Sequence, residues 1–399
     1  MSAEPVPYPF GPEVGLEVDE RLLALQRQGP VRVQLPQGEP CWLATSYEDV
    51  RAVHGDRRFC KELGVGKVLP RPHPSPPLDP SQLANMDPPR HTRLRKLTTT
   101  AFAKPRIGGL QPWLQELVDE AFARLVQEGP GADFTATIAW DLPNFAMTGI
   151  LGIERSEVPE FRAYIETMLN PKAERDARAA AMGDLRAFVT ELVAARRAQP
   201  ADDLLSELVL ARDEQDRLTE DELVMLAINL FLAGFETTYA QLGATLFTLL
   251  SRPERWDELV RDRALLPAAM EELWRWVPTT RYGAPLCRWA SEDVELGNGV
   301  VIPQGEAIIG ERVAANRDEA VFPHAAEIDF HRDHPAPHLA LGWGAHHCVG
   351  AHLADLEILL TLEKLLDELP TLRLAVDPDE IQWSDTSMLR SVTALPVAW

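Results

Sequence analysis

The sequence runs to 399 residues, 45% hydrophobic and 25% charged, ample for a sizeable core. Its 61 acidic side chains outnumber 39 basic ones, and a formal net charge of −22 argues against a nucleic-acid partner or a broad anionic membrane surface. Four cysteines, Cys41, Cys60, Cys287 and Cys348, lack any framework spacing, which points to a reducing, cytoplasmic setting rather than a disulfide scaffold.

The segment Met1 to Val14 holds four prolines and no apolar run long enough for a signal peptide or membrane anchor. From near Glu17 an amphipathic pattern carrying Leu22, Leu23 and Leu25 predicts a helix. Val31–Leu35 and Cys41–Ala44 read as strands joined through Pro36-Gln37-Gly38, and Tyr47 to His54 as a short helix. Lys61 to Pro89 is irregular and proline-rich, and at that length such a stretch is a functional loop, a disordered segment or a linker. Asp87-Pro88-Pro89 then opens a basic helix. Its His91 and Arg95 stand four apart on one face, two donors that suit a pair of carboxylates.

Helical patterns dominate from Leu110 to Leu210, punctuated at Gly129-Pro130-Gly131 and Asn170-Pro171-Lys172. The charged, alanine-rich stretch from Met168 to Arg197 predicts a surface helix and carries no catalytic constellation. Thr219-x-x-Glu222 is a capping box, and the helix it opens is predicted to reach Leu250, where Ser251-Arg252-Pro253 stops it. That is a rod of roughly 45–50 Å. Leu223 through Phe235 is apolar nearly all round apart from Asn229, so the rod must be buried. In its middle, Ala233-Gly234-Phe235-Glu236-Thr237-Thr238 sets an acid and an alcohol in apolar surroundings, costly unless used or paired. The mid-helix glycine costs about 1 kcal/mol relative to alanine. The residues by themselves leave two readings open, a polar pair satisfied within its own helix or a working site.

Glu272 and Arg275, three apart on a helix, can form an ion pair. Asp293–Leu296, Gly299–Gly305 and Ala307–Ile309 read as hairpin strands. Near the end, Gly342, Gly344 and Gly350 surround Cys348 just ahead of a helical run to about Leu366. Glycine lets the backbone approach a flat ligand, and amides at a helix start favour a thiolate. A thiolate so placed suits an iron-porphyrin axial ligand. The paired spacing of a structural zinc site is missing.

Gly342-x-Gly344-x-His346-x-Cys348-x-Gly350, followed by Leu353-Ala354, closely resembles the haem-thiolate signature of cytochrome P450s. Asp87-Pro88-Pro89-x-His91-x-x-x-Arg95, Ala233-Gly234-x-Glu236-Thr237-Thr238 and Glu272-x-x-Arg275 resemble three further P450 patterns in the same order. The resemblance implies one domain over residues 1–399, mainly α with small β-sheets, in the triangular prism fold with a long buried central helix. It implies haem b (iron protoporphyrin IX) with Cys348 as the metal ligand. Cofactor contacts are implied at His91, Arg95, Arg288, Gly342, His346, Gly350 and Ala354, the His and Arg residues among them on the propionates. It places catalytic residues at Ala233, Gly234, Glu236 and Thr237, with Glu236 and Thr237 organising a proton path and Gly234 leaving room for O2. Arg317 is implied as third member of the Glu272–Arg275 cluster.

The implied activity is a monooxygenase that hydroxylates or epoxidises a medium-sized hydrophobic small molecule in secondary metabolism. Its electrons would come from a ferredoxin or flavodoxin with a reductase, docked on Arg93, Lys96, Lys104 and Arg106. Oxidative coupling or peroxide-driven oxidation on the same fold is the alternative. The implied pocket is lined by parts of 63–85 and 160–186, by Leu230, Phe231 and Ala233, and by 282–286 and 387–389. Two positions depart from the family pattern: Leu341, where an aromatic is common, and Asp355, where an arginine is frequent.

Overall fold

A helix that is apolar on every side must be wrapped by other helices, and that requirement sets the architecture. A computed structural model describes residues 4–11, 15–73, 77–169, 173–213, 218–281, 287–333, 336–384 and 389–399. The Asn170-Pro171-Lys172 break, the predicted 282–286 strand and positions 387–388 lie outside them. In chain order the helices are α1 (Glu20–Ala24), α2 (Tyr47–Gly55), α3 (Arg90–Ala101), α4 (Lys104–Gly109), α5 (Gln111–Glu128), α6 (Asp141–Leu151) and α7 (Val158–Leu169). There follow α8 (Arg175–Ala198), α9 (Leu204–Asp213), α10 (Glu220–Leu250), α11 (Pro253–Arg261), α12 (Leu266–Trp276), α13 (Arg312–Ala315) and α14 (Ala351–Glu368).

Helix α10 is the predicted central rod. Its capping box is complete, with the Glu222 N–H donating to Thr219 Oγ1 at 3.2 Å and the Thr219 N–H donating to the Glu222 carboxylate at 3.0 Å. Helices α6, α8 and α9 and the π-turn Thr135–Ala139 pack around it. Phe161 of α7 meets Phe231 edge-on at 4.4 Å between ring centres. Each fully buried side chain of this size contributes about 1.5–3 kcal/mol, so the wrapping, more than helix propensity, holds the rod. Helix α8 buries Leu185, Val189 and Val193 and exposes its opposite face, as its sequence predicts. By length and composition α10 is the one helix among the described residues able to cross a membrane, and most of its apolar window is buried within the fold.

The strands are short: β1 (Val6–Pro7), β2 (Val31–Gln34), β3 (Cys41–Ala44), β4 (Phe59–Cys60), β5 (Arg288–Ala290), β6 (Val294–Leu296), β7 (Val300–Ile302), β8 (Ala307–Gly310), β9 (Arg373–Leu374) and β10 (Val397–Ala398). Six of them form one sheet in the order β1-β2-β3-β8-β5-β4, while β6–β7 and β9–β10 are separate pairs. β6 and β7 make the predicted hairpin. β8 does not join it, running instead parallel to β3 and antiparallel to β5, with Ile308 opposite both Trp42 and Arg288. The reason lies in its side chains. Ile308 and Ile309 are both fully buried, in two different hydrophobic clusters, so β8 needs cover on both faces and takes a central place.

The Glu272–Arg275 pair forms as predicted, bidentate at 2.7 Å for both contacts and wholly buried. Its third member is Arg332, whose Nε lies 3.1 Å from the carboxylate, and not Arg317. Arg317 donates instead to the Trp276, Ala325 and Ala326 carbonyls and stacks over the Trp276 ring at 4.2 Å. Arg275 also donates to the Ala325 carbonyl, so the two guanidinium groups share an acceptor at the edge of the pair, while Arg332 reaches its acid. Burial alone would raise the Glu272 carboxyl, but the hydrogen bonds and charge of Arg275, with the Asp329 N–H and Arg332, hold it below the usual range. Arg275→Met is expected to destabilise the fold by about 3–5 kcal/mol, because it removes the bidentate partner of a buried carboxylate and leaves only Arg332 and the Asp329 N–H. The check is a lowered urea midpoint at unchanged slope.

Candidate active site

The cysteine loop is shaped by two turn glycines. Gly342 and Gly344 have φ of 80° and 69°, and a Cβ on Gly344 would fall 2.9 Å from the His54 carbonyl oxygen and the Gly55 Cα. A short 3₁₀ turn, Gly344–His346, then leads to Cys348, whose N–H donates to the Leu341 carbonyl at 2.8 Å. Leu341, which departs from the family pattern, thus serves the loop through its backbone. Gly350 has ordinary negative φ, and its missing Cβ would meet nothing. Ala354 is half-buried on the first turn of α14. Asp355 accepts from the Trp274 indole at 3.1 Å.

The predicted thiolate needs more than the loop provides. Helix α14 begins at Ala351, three residues beyond the sulfur, and burial pushes the Cys348 thiol up. The Gly350 N–H and the charges of Arg95 and Arg312 pull the other way and fall short.

On α10, the residues with accessible surface between Leu223 and Leu246 are Asn229, Leu232, Ala233, Gly234, Glu236, Thr237 and Tyr239. Asn229, Leu232, Ala233, Glu236 and Thr237 follow i, i+3, i+4, i+7, i+8, one face of the helix. An otherwise buried rod thus has one open stripe. Thr237 Oγ1 donates to the Ala233 carbonyl at 2.6 Å, which leaves its lone pairs able to accept a hydrogen bond. Gly234 does not do what the sequence pattern implied. A Cβ there would sit 2.5 Å from the Met147 sulfur on α6, so this glycine permits close packing of α10 on α6 rather than making room on the open face.

Beside the cysteine loop lies a group of cations. The His91 and His346 rings are 4.3 Å apart, tilted by 41°. Burial pushes His346 down to about 2, helped by the Arg288 charge, and lowers His91 too, so both imidazoles are neutral donors. Arg288, on β5, is buried with Nη1 unpartnered, and burial pushes it down to about 10. Arg95 donates from Nη2 to the His347 carbonyl at 2.5 Å.

Arg312 was not foreseen. It is the first residue of α13, its Nη1 lies 3.6 Å from where a Gly342 Cβ would be, and its buried Nε has no partner. Its charge is felt by Cys348 and by Arg288. The available signal was a Glu-Arg pair placed directly after an apolar strand.

The acid near Arg288 is Asp87, and its carboxylate is already engaged by the Lys61 and Glu62 N–H groups at 2.8–3.0 Å. Orphaned buried nitrogens on Arg288 and Arg312, with neutral imidazoles beside them, fit the two carboxylates of a haem.

The predicted docking cations are only half available. Arg93 pairs with Glu222 at 2.6 Å and Arg106 with Glu207, while Lys96 lines a surface groove with Arg57 and Thr92.

The family model for cytochrome P450 matches residues 146–390. The chain belongs to the cytochrome P450 family. Relatives of this P450 include the nocardicin C N-oxygenase of Nocardia uniformis subsp. tsuyamanensis, 41% identical with 98% of each chain covered. Another is the mycinamicin IV hydroxylase/epoxidase of Micromonospora griseorubida, 40% identical over the whole of both. A solved structure of a mutant of the mixed-function P450 MycG in complex with mycinamicin IV superposes with a TM-score of 0.92 at 40% identity, covering 99% of this chain and 100% of that one. The P450 fold, mainly helical with small sheets, is therefore established, and so is an oxidoreductase of the monooxygenase class that uses a haem-thiolate cofactor, O2 and a small-molecule substrate.

The helix following the P450 cysteine carries a further buried group. Glu357 is fully buried on α14 with Oε2 unpartnered, and burial pushes its carboxyl up from 4.5 to about 8. The native chain therefore keeps a proton that the unfolded chain releases, and stability falls as pH rises from 4.5 to about 8. Glu357→Gln is expected to flatten that slope and to raise stability at pH about 8, read from urea midpoints across the window.

Proposed function

We propose that this P450 hydroxylates or epoxidises a medium-sized hydrophobic small molecule as a tailoring step in secondary metabolism, with residues 1–399 acting as one catalytic unit. The observation that carries this reading is the open stripe Asn229–Thr237 on an otherwise buried helix, in a fold whose cysteine loop is flanked by two arginines with buried, unpartnered nitrogens. Relatives named for hydroxylation, epoxidation and N-oxygenation of natural products support it.

In this reading the cofactor is haem b. Cys348 is its iron ligand, since a bound metal cation is what overcomes the burial that raises the thiol. His91, Arg95, Arg288, Arg312 and His346 hold its two carboxylates, with His91 and His346 donating as neutral imidazoles. Gly342 and Gly344, both at positive φ, would shape the loop that meets the cofactor, and Gly350 and Ala354 would be further contacts to it. Bound there, the haem supplies the activation of O2 that inserts one oxygen atom into the substrate.

The chain's own residues do the rest. Ala233 and Thr237 present the open stripe to the reacting centre. The Thr237 hydroxyl, held by the Ala233 carbonyl, accepts a hydrogen bond at a fixed point. Glu236, half-buried one residue before it, relays protons inward from solvent. Helices α7 and α8 cover the site and exclude water, with Phe161 against Phe231 closing the contact. Electrons come from a ferredoxin or flavodoxin with its reductase, in the cytoplasm, and Lys96 and Lys104 are the docking cations that remain once Arg93 and Arg106 are paired.

Two measurements test this. The reduced, carbon-monoxide-treated protein is expected to show the red-shifted Soret band of a thiolate-bound haem, and Cys348→Ser to abolish it. Absence of that band in the wild type, or its survival in Cys348→Ser, would overturn the ligand assignment. Thr237→Ala is expected to divert most reducing equivalents from product to hydrogen peroxide, measured as the ratio of the two, and an unchanged ratio removes Thr237 from proton delivery.

A further inference from the structure

Asn229 is the polar exception in the apolar half of α10, and nothing in the chemistry above uses it. Its side chain is half-buried and has no hydrogen-bond partner among the described residues, and its amide nitrogen is buried. An unsatisfied buried amide costs roughly 1–3 kcal/mol, whereas a leucine there would fill similar volume without that penalty. The residues flanking it, Ile228 and Leu230, are buried and apolar. No described residue hydrogen-bonds the amide at this position.

Asn229 stands one turn before Ala233 and two before Thr237 on the same open stripe. The helical rise puts it about 6 Å from the first and about 12 Å from the second along the axis. Half a turn of the terminal amide exchanges oxygen for nitrogen without changing the side chain's shape, so the residue can turn either a donor or an acceptor to the open side.

We propose that Asn229 is a specificity-determining residue whose amide hydrogen-bonds a polar group of the substrate. The substrate class is then a hydrophobic molecule carrying a hydroxyl, carbonyl or ether well removed from the carbon that is oxidised. This rests on the P450 reading of the site. One polar anchor in an apolar pocket, distant from the reacting centre, selects which carbon lies beside Thr237. It also rejects a substrate lacking the polar group, because the amide would stay unpaired.

The test is a molecular ruler. Imidazoles N-substituted with unbranched alkyl chains of about four to twelve carbons ligate the iron through the ring, and each is titrated beside its ω-hydroxy counterpart by the Soret shift. In the wild-type protein the hydroxyl is expected to strengthen binding about tenfold over a narrow span of chain lengths and to weaken it elsewhere. Asn229→Leu is expected to lose that gain while binding the plain alkyl series as before, which also shows that the variant is folded. Asn229→Asp, which keeps an acceptor, is expected to retain it. A gain absent at every length in the wild type, or surviving in Asn229→Leu, overturns the proposal. Absence of any Soret shift with either series would instead remove the haem reading on which it rests.

Discussion

Buried positive charge with unfilled hydrogen-bonding capacity is the constraint on which the site depends. Arg288 and Arg312 are held inside the protein by β5 and the start of α13, each with an unpartnered nitrogen, and two neutral imidazoles stand beside them. Such an arrangement is costly in an empty protein and is offset only when anionic groups arrive. On the proposed reading, part of the cofactor's binding energy is held in advance as unfilled hydrogen-bonding capacity. The same field acts on Cys348, where it opposes burial but does not overcome it.

That arrangement relies on a rigid frame. Glu272 ties together two arginines and the Asp329 N–H, and Arg275 reaches the Asn316, Ala325 and Glu327 carbonyls. Asn316 in turn accepts from the Leu339 N–H, just before the cysteine loop. A single buried ion cluster therefore fixes both the strand-to-helix corner that carries Arg312 and the approach to Cys348. Its charges are fully satisfied, in contrast to those around the cofactor. The Glu272 cluster is paired throughout, whereas Arg288 and Arg312 each keep an unpartnered nitrogen.

Much of this was legible in the chain, for physical reasons. The capping box at Thr219 and Glu222, the all-round apolar run of α10 and the turn glycines at 342 and 344 are local features, decided within one helical turn or one loop. What escaped was decided at long range. Arg332, not Arg317, completes the Glu272 cluster because the chain folds residues 329–332 back over α12, which no spacing reveals. β8 leaves the hairpin because two clusters on opposite faces compete for its isoleucines. Arg312 resembled any surface cation until the strand before it proved to be central. Pattern matching gave Gly234 the right importance and the wrong neighbour.

That neighbour has a consequence for how the protein can vary. Because Gly234 and the Met147 thioether occupy one shared volume between α10 and α6, neither position is free to change by itself. A methyl group gained at 234 requires the Met147 side chain to move aside or shorten, and a bulkier residue at 147 presses on the same space. The packing of α10 on α6 is thus set jointly by two residues far apart in sequence, and their substitutions should be non-additive.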